Sequence, residues 1–406
     1  MHLALVTDYW LPTLGGVQTA VRALQRSLVA AGHEATVLAP LDARPGRRGP
    51  DGPPGTGPGV VALPAARGFR PDGYPFAWSP SRLRTVLRDE FERLGVDVVH
   101  THSEMFAALG AIRAARDLGL PVVHTMHGRI DTYTTSVLPA PAFTVPLLAA
   151  LHARQVDHRG LHVAPDAAWT STRARRLMWR VMLAQSRAVD HVLVPSRHFA
   201  RKLVDQGVDT PVTVLSNGIE ADVLARVGEP RVRVPRPGEP LRALWVGRLS
   251  PEKRPDVFAE AARLAGDDVV AEAIGDGLAR RSLERGGAPV RWRGALPHDD
   301  VLAAMARSDV LVSSSLDFDN QPMVLLEAVA SGLPVVHCDP DLAEVVPDGG
   351  GFASPTPDAT GLAAVLSRLR HDPEAVAAAS RAVIGARGRV EQRVDDVLAV
   401  YRSLAP

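Results

Sequence analysis

The 406-residue sequence predicts an α/β protein built as two halves, each a parallel sheet covered on both faces by helices. Short continuous apolar runs recur along the chain, and segments with helical spacing separate them. Length adds a third observation. At 406 residues the chain exceeds what one hydrophobic core usually supports, and 46% hydrophobic residues can fill two.

Taken in order, HLALVTD reads as the first strand, Val17 to Ala31 as a helix and EATVLAP as the second strand. Residues 42–59, DARPGRRGPDGPPGTGPG, can form neither a core nor a regular element and read as a mobile surface loop without chemistry. A helix near Pro80 to Leu94, the strand VDVVHTH, a helix from Met105 to Leu118 and the strand PVVHTMH continue the series. HVLVPS at residues 191–196 leads through VTVLSNGIE and a stretch rich in Pro and Arg, 226–240, to LRALWVGRL. From there VVAEAIGDG, VRWRGAL, DVLVSSS and LPVVHC outline a second sheet. The expected division is a first domain at 1–210, a second at 211–385 and a terminal segment at 386–406. In that segment Val390, Val394, Val397, Leu398 and Tyr401 recur at helical spacing, as in a helix that returns to the first domain. Open parallel sheets bind ligands beyond the carboxyl ends of their strands, so the active site is expected in a cleft between the halves.

Charge and composition narrow the classes. The net charge of +1 divides into +7 for residues 1–210, with 24 basic and 17 acidic side chains, and −6 for 211–406, with 22 and 28. Aromatic residues make up 5% of the chain and no nucleic-acid-binding motif occurs, so the basic half points to an anionic membrane surface and not to nucleic acid. The single Cys338 excludes a disulfide framework and a cysteine zinc cluster and fits a reducing, cytoplasmic compartment. No secretion signal is read at Met1. The most apolar stretch, Val137 to Ala153, is too short to span a bilayer and carries Pro139, Pro141 and Pro146.

The chemistry concentrates in a few turns. In SSSLDFDNQPMVLLEAVASGLPVV, Asp319 and Glu327 stand eight residues apart across a loop-to-helix junction, with Pro322 at the first helical turn and Gly332 and Pro334 as the stop. Backbone N–H groups from Asn320 through Gln321 to Met323 suit a phosphate, and Glu327, more than a turn in, suits sugar hydroxyls. In LWVGRLSPEKRP, Ser250 and Pro251 read as the start of a helix, with Arg248 and Lys253 flanking it to neutralise a departing diphosphate without a metal. Forty-four of the 46 basic residues are arginine, so a lysine at 253 is itself informative. Gly15 and Gly16 precede the first helix and allow close backbone approach, but they lack the G-x-G-x-x-G spacing of a nicotinamide site. His100, His102, His124 and His127 end two adjacent strands and are expected to crowd one rim, with His102 the substrate contact. No acidic or cysteine ligand at metal-site spacing accompanies them.

With these residues the chain resembles, nearly end to end, a retaining glycosyltransferase of family 4 with the GT-B fold of two facing Rossmann-like domains. In that family a glycine pair after the first strand, a histidine near the fourth strand, and G-R-x-x-x-x-K and E-x-x-x-x-x-x-x-E motifs build the donor site. These fall here on Gly15 and Gly16, His102, Arg248 and Lys253, and Asp319 with Glu327. The resemblance implies that Arg248 and Lys253 hold the diphosphate, Glu327 the ribose and Asp319 the transferred hexose. Leu296, Asn320, Gln321, Pro322 and Met323 join the donor contacts, and His127 the acceptor or sugar contacts. Asp319 is one methylene shorter than the family's glutamate. Gln321, with HTMHGRIDTY, is similar to the branch that glycosylates diacylglycerol.

The implied reaction retains anomeric configuration by front-face attack, the leaving phosphate taking the acceptor's proton. No cofactor or metal is implied, the UDP- or GDP-hexose being the substrate. The acceptor stays open between a membrane lipid and a soluble sugar or natural product. A sugar-nucleotide epimerase and a noncatalytic nucleotide-sugar-binding protein stay open on the same fold. Thr172 to Ala188, with Arg173, Arg176, Arg180 and Arg187 on one stripe, resembles an interfacial helix and suggests a peripheral protein at the inner face of the plasma membrane. The sequence leaves oligomeric state open.

Overall fold

The computed structural model describes residues 1–10, 16–41, 59–66, 75–165, 167–391 and 393–404. The expected surface loop lies outside the described residues but for Gly59. The chain forms two compact units, Met1–Asn217 with Arg393–Pro406, and Gly218–Gln392.

Unit 1 runs β1 (His2–Val6), α1 (Gly16–Ala30), β2 (Glu34–Pro40), β3 (Val60–Leu63), α2 (Pro80–Leu94), β4 (Val98–Thr101), α3 (Phe106–Leu118) and β5 (Val122–Thr125). It continues α4 (Ile130–Val137), α5 (Pro141–Ala153), α6 (Arg173–Arg187), β6 (His191–Val194), α7 (Arg197–Asp205) and β7 (Val212–Val214). Unit 2 runs α8 (Ala221–Val227), β8 (Leu241–Val246), α9 (Pro255–Ala265), β9 (Val269–Ile274), α10 (Arg280–Arg285), β10 (Val290–Trp292) and α11 (His298–Arg307). It closes with β11 (Val310–Ser313), α12 (Met323–Ala330), β12 (Val335–His337), β13 (Gly351–Ala353), α13 (Ala359–His371) and α14 (Pro373–Gly385). The last helix, α15 (Val394–Leu404), belongs to unit 1.

The first sheet has the order β3-β2-β1-β4-β5-β6-β7 and the second β10-β9-β8-β11-β12-β13. All pairings between these strands are parallel; in the first sheet Leu3 lies against Ala35 and Val98. Both faces are covered, so alternate residues of one strand enter different cores. Ala4 and Val6 pack with Leu83, Leu87 and Phe106, while Leu3 and Leu5 pack with Val21, Leu28, Leu398 and Tyr401. In unit 2, Ala243 and Trp245 join Phe258 and Leu362, and Leu244 joins Leu311 and Leu325. Cys338, just past β12, is buried, and burial pushes its thiol up to about 11.

The division of the units falls at 217/218 and not at 210/211, because β7 pairs with β6 and completes the first sheet. The return to unit 1 begins at Arg393 and not at 386, after a 3-10 turn at Arg387–Arg389 that follows α14. The segment expected at an interface is a core helix. α6 buries Met178, Trp179, Val181, Met182 and Leu183 and packs on α4 and α5. From Met178 to Ser186 every residue but Arg180 is buried, so the helix is enclosed along most of its length. Its arginines are turned to loop carbonyls: Arg176 donates to Thr170 and Ser171, Arg180 to His158 and Arg187 to Arg159.

Buried polar contacts fasten the ends of the strands. Asp8, at the carboxyl end of β1, accepts from Ser103 Oγ at 2.7 Å and from the Ala107 and Ala108 amides at the start of α3, at 2.9 and 3.3 Å. His100 in β4 holds Tyr401 of α15 at 2.6 Å through Nδ1 and Thr125 of β5 at 2.7 Å through Nε2. Tyr401→Phe removes one partner of a buried imidazole while keeping the ring. It should cost about 1–3 kcal/mol, seen as a lower urea midpoint with an unchanged m-value.

Burial also holds histidines neutral: His127 and His152 are pushed down to about 3, His100 and His102 well below the usual range. Such a group stabilises fully above its unfolded value of 6.5 and loses that contribution as pH falls toward the folded value. Asp8 is raised by burial to about 6 and works in the opposite sense, its contribution fading as pH rises from 3.8 to 6. The histidines outnumber it. Stability should therefore fall below pH 6.5, at about 1.4 kcal/mol per pH unit for each fully titrating histidine, as read from urea midpoints between pH 7 and 4.

Candidate active site

In both sheets the strand order reverses beside the first strand of the unit, at β1/β4 and at β8/β11. At such a switch point the loops leaving adjacent strands diverge and open a crevice beyond their carboxyl ends. Arg248 and Lys253 follow β8, Asp319 follows β11 and His102 follows β4.

In unit 2, β8 ends into Gly247 and Arg248, and β11 ends into Ser314 and Ser315. The loop after β8 is pressed against the loop after β9. Gly275 stands at φ 142°, and a Cβ there would lie 1.7 Å from the Gly247 carbonyl oxygen; one on Gly277 would lie 2.5 Å from that of Leu249. The two glycines permit the contact, and Leu249 donates to the Asp276 carbonyl across it at 3.0 Å.

Ser314 joins the two loops of the switch point. It accepts from Trp245 Nε1 at 3.0 Å and donates to the Lys253 carbonyl at 3.0 Å. Lys253 is thereby brought to Asp319, its Nζ donating to Oδ1 at 2.5 Å, while Ser315 Oγ donates to Oδ2 at 2.6 Å. The Lys253 ammonium also lies 5.1 Å from the centre of the Phe318 ring. Arg248 approaches Glu252 at 3.4 Å, and Ser250 Oγ donates to the same carboxylate oxygen at 2.6 Å. Glu252 is buried, and its other oxygen has no hydrogen-bond partner.

The turn after Gly247 departs from the expected helix start. Pro251–Lys253 make one 3-10 turn, Arg254 is left-handed at φ 51° and α9 begins only at Pro255. A proline at 255 bars its predecessor from the helical region, and Ser250 caps nothing, its hydroxyl being given to Glu252. Arg254 is held in place by its guanidinium, which reaches the Pro357 carbonyl at 2.7 Å.

At α12, Pro322 is the N-cap and not the first helical residue, and Gly332 follows the helix at φ 69°. Asn320 is buried; Gln321, Pro322 and Met323 are half-buried. Glu327 faces His298 at the start of α11, with Oε1 2.9 Å from Nε2. The hydrogen bond to Glu327 raises the His298 pKa above its usual value. Leu296 and Met323 pack against the same apolar cluster. Sequence reasoning missed His298, Glu252 and Ser314, because each acts through a partner that spacing does not reveal.

In unit 1, Gly16 is the first residue of α1, and Gly15 lies outside the described residues. His102, after β4, lies 2.9 Å from His127, Nδ1 to Nε2, and its own Nε2 is buried without a partner. The four histidines crowd together as expected but do not line an open rim: His100, His102 and His124 are buried. His100 and His124 are enclosed in the sheet, His124 Nδ1 meeting Thr101 Oγ1 at 2.8 Å, so their ring nitrogens serve the fold. His100 and His102, two positions apart, share one face with their ring centroids 4.0 Å apart, and His127 stacks on His102 at 5.2 Å.

Residues 14–223 match Glycosyltransferase Family 4, and residues 240–372 match Glycosyl transferases group 1. A GDP-mannose-dependent alpha-mannosyltransferase of Mycobacterium tuberculosis is 28% identical over 390 residues, covering 93% of this chain and 87% of that protein. A phosphatidyl-myo-inositol mannosyltransferase of Mycolicibacterium smegmatis is 28% identical over 390 residues, with 92% and 86% covered. Anabaena HepE, crystallised with UDP, superposes with a TM-score of 0.66 at 16% identity, over 99% of this chain and 100% of its own. The two parallel-sheet units have the GT-B fold, and the chain belongs to glycosyltransferase family 4.

Proposed function

We propose that the protein is a retaining, metal-independent hexosyltransferase that moves a hexose from a nucleoside-diphosphate sugar to a hydroxyl of a membrane lipid, from the cytoplasmic side. The carrying observation is the Lys253–Asp319 pair, which ties the two loops of the unit 2 switch point together. A lysine ammonium has three donors, so Lys253 can keep Asp319 and still reach a diphosphate oxygen. Arg248, steadied by Glu252, supplies the second cation. Charge placed in advance where a leaving group develops its own is among the largest contributions to catalysis.

In this reading Glu327 accepts from ribose hydroxyls, Asp319 from the hexose, and Leu296 with residues 320–323 completes the donor contacts. Gly15 and Gly16 let backbone approach the substrate, and His102 and His127 contact the acceptor or sugar. The leaving phosphate takes the proton of the attacking hydroxyl. Of the two mannosyltransferases above, one is named for GDP-mannose and the other for phosphatidyl-myo-inositol, so GDP-mannose is the first donor to try and an inositol phospholipid the first acceptor.

The test is release of nucleoside diphosphate from GDP- and UDP-hexoses, with and without a lipid extract. Lipid-dependent release from one donor is expected, falling about 100- to 1,000-fold in Lys253→Ala. Release without lipid would point to a soluble acceptor or an epimerase. Saturable donor binding without turnover would point to a noncatalytic binding protein. His298→Ala, which leaves Glu327 without its imidazole, should raise the donor KM by about threefold to tenfold with kcat little changed.

A further inference from the structure

Helix α5, Pro141–Ala153, is apolar on every side, yet only Val145, Ala149 and His152 are buried. A helix of that composition normally lies inside a protein or in a lipid phase. Here Phe143 is 80% and Leu147 60% exposed, and Ala150 and Arg154 are exposed too. These four stand at i, i+4, i+7 and i+11, so they form one face about 16 Å long. The face is apolar from Phe143 to Ala150 and turns cationic at Arg154.

At that cationic end lies a pocket of about 520 Å³. Arg154, Arg159, Arg180 and His158 line it, with Asp157 as the one acidic side chain. Arg159 pairs with Asp157 at 3.1 Å and is 93% exposed. Arg180 donates one hydrogen bond, to the His158 carbonyl, and its Nε is buried without a hydrogen-bond partner. Over residues 138–190 the chain carries seven arginines and three aspartates, with neither lysine nor glutamate. Among the described residues no helix is long and apolar enough to cross a membrane, so α5 can lie on a bilayer and not through it.

We propose that the exposed face of α5 docks unit 1 on an anionic phospholipid bilayer, with Phe143 and Leu147 entering the interface and the arginine pocket at Arg154 taking a lipid phosphate. Apolar insertion and cationic attraction then act together along one helix, the combination that holds peripheral proteins on acidic membranes. Of the basic residues in the first half of the sequence, Arg154 and Arg159 thus stand at the end of α5, with Arg180 of α6 beside them. The inference rests on the lipid-acceptor reading above for its purpose, but the two can fail separately.

The test is co-sedimentation of the full chain with vesicles of phosphatidylcholine alone or mixed with phosphatidylglycerol. Wild type should sediment with the mixed vesicles, less so as salt rises, and not with phosphatidylcholine alone. Phe143→Ser with Leu147→Ser should lower the partition coefficient at least about tenfold, and Arg154→Glu with Arg159→Glu should abolish binding. All four positions are exposed, and thermal melts matching wild type would show the variants folded. Wild-type partitioning by both variants would overturn the proposal. So would a dimer that the serine variant dissociates while vesicle binding stays intact, since the face would then join two copies of the chain. Vesicle binding without lipid-dependent donor turnover would keep the docking surface and remove the lipid acceptor. Turnover of detergent-dispersed lipid without vesicle binding would do the reverse.

Discussion

Covering a parallel sheet on both faces confines most polar side chains to the ends of its strands, and both units are organised by that constraint. In unit 1 the interior of β1 is Leu3, Ala4, Leu5 and Val6, all fully buried, and polarity begins at Thr7 and Asp8. In unit 2 the same boundary falls at Gly247 and Arg248 after β8 and at Ser314 and Ser315 after β11. Where the strand order reverses, two such ends lie side by side with no strand continuing between them. Asp8, His102, Lys253 and Asp319 are all products of that geometry. Each is placed by the sheet before it does any chemistry.

Such crowding of polar groups has a conformational cost that the surroundings offset. Arg254 and Asp317 both hold positive φ, near 50°, in the two loops that meet at Ser314. A non-glycine residue in that region costs of the order of 1–2 kcal/mol. The Arg254 guanidinium is fixed on the Pro357 carbonyl, and the Asp317 amide is fixed on Asp339 at 2.7 Å. Asp339 also caps the turn that follows it through the Asp341 amide. Hydrogen bonds from Pro357 and Asp339 thus add to the Lys253–Asp319 and Ser314 contacts that join the two loops.

Much of this was legible in the sequence, for physical reasons that differ by element. Central strands announce themselves because burial on both faces removes polar residues from them, and α1 and α2 because one face of each is solvated. The short edge strands β3 and β13 carry no such signal. The sequence pattern suggests an interfacial helix at α6 and gives no exposure for α5, whereas the fold buries most of α6 and exposes one face of α5. α6 has a regular arginine stripe but apolar residues all round it, whereas α5 has no polar face to give it a period. Within the site, residues near in sequence, such as Arg248, Lys253, Asp319 and Glu327, could be found by spacing. His298 and Glu327 are 29 positions apart, and His100 and Tyr401 are 301 apart; only the folded chain joins them.

Cys338 has a consequence of a different kind. It is the only cysteine in 406 residues, it is 4% exposed, and burial lifts its thiol to about 11. Near neutral pH almost none of it is thiolate, and alkylating or disulfide-forming reagents react with thiolate. The native chain is therefore a silent background for thiol chemistry. A cysteine introduced on the surface of either unit would take a fluorophore or spin label alone, and the motions of the two units could be followed without first removing a native residue.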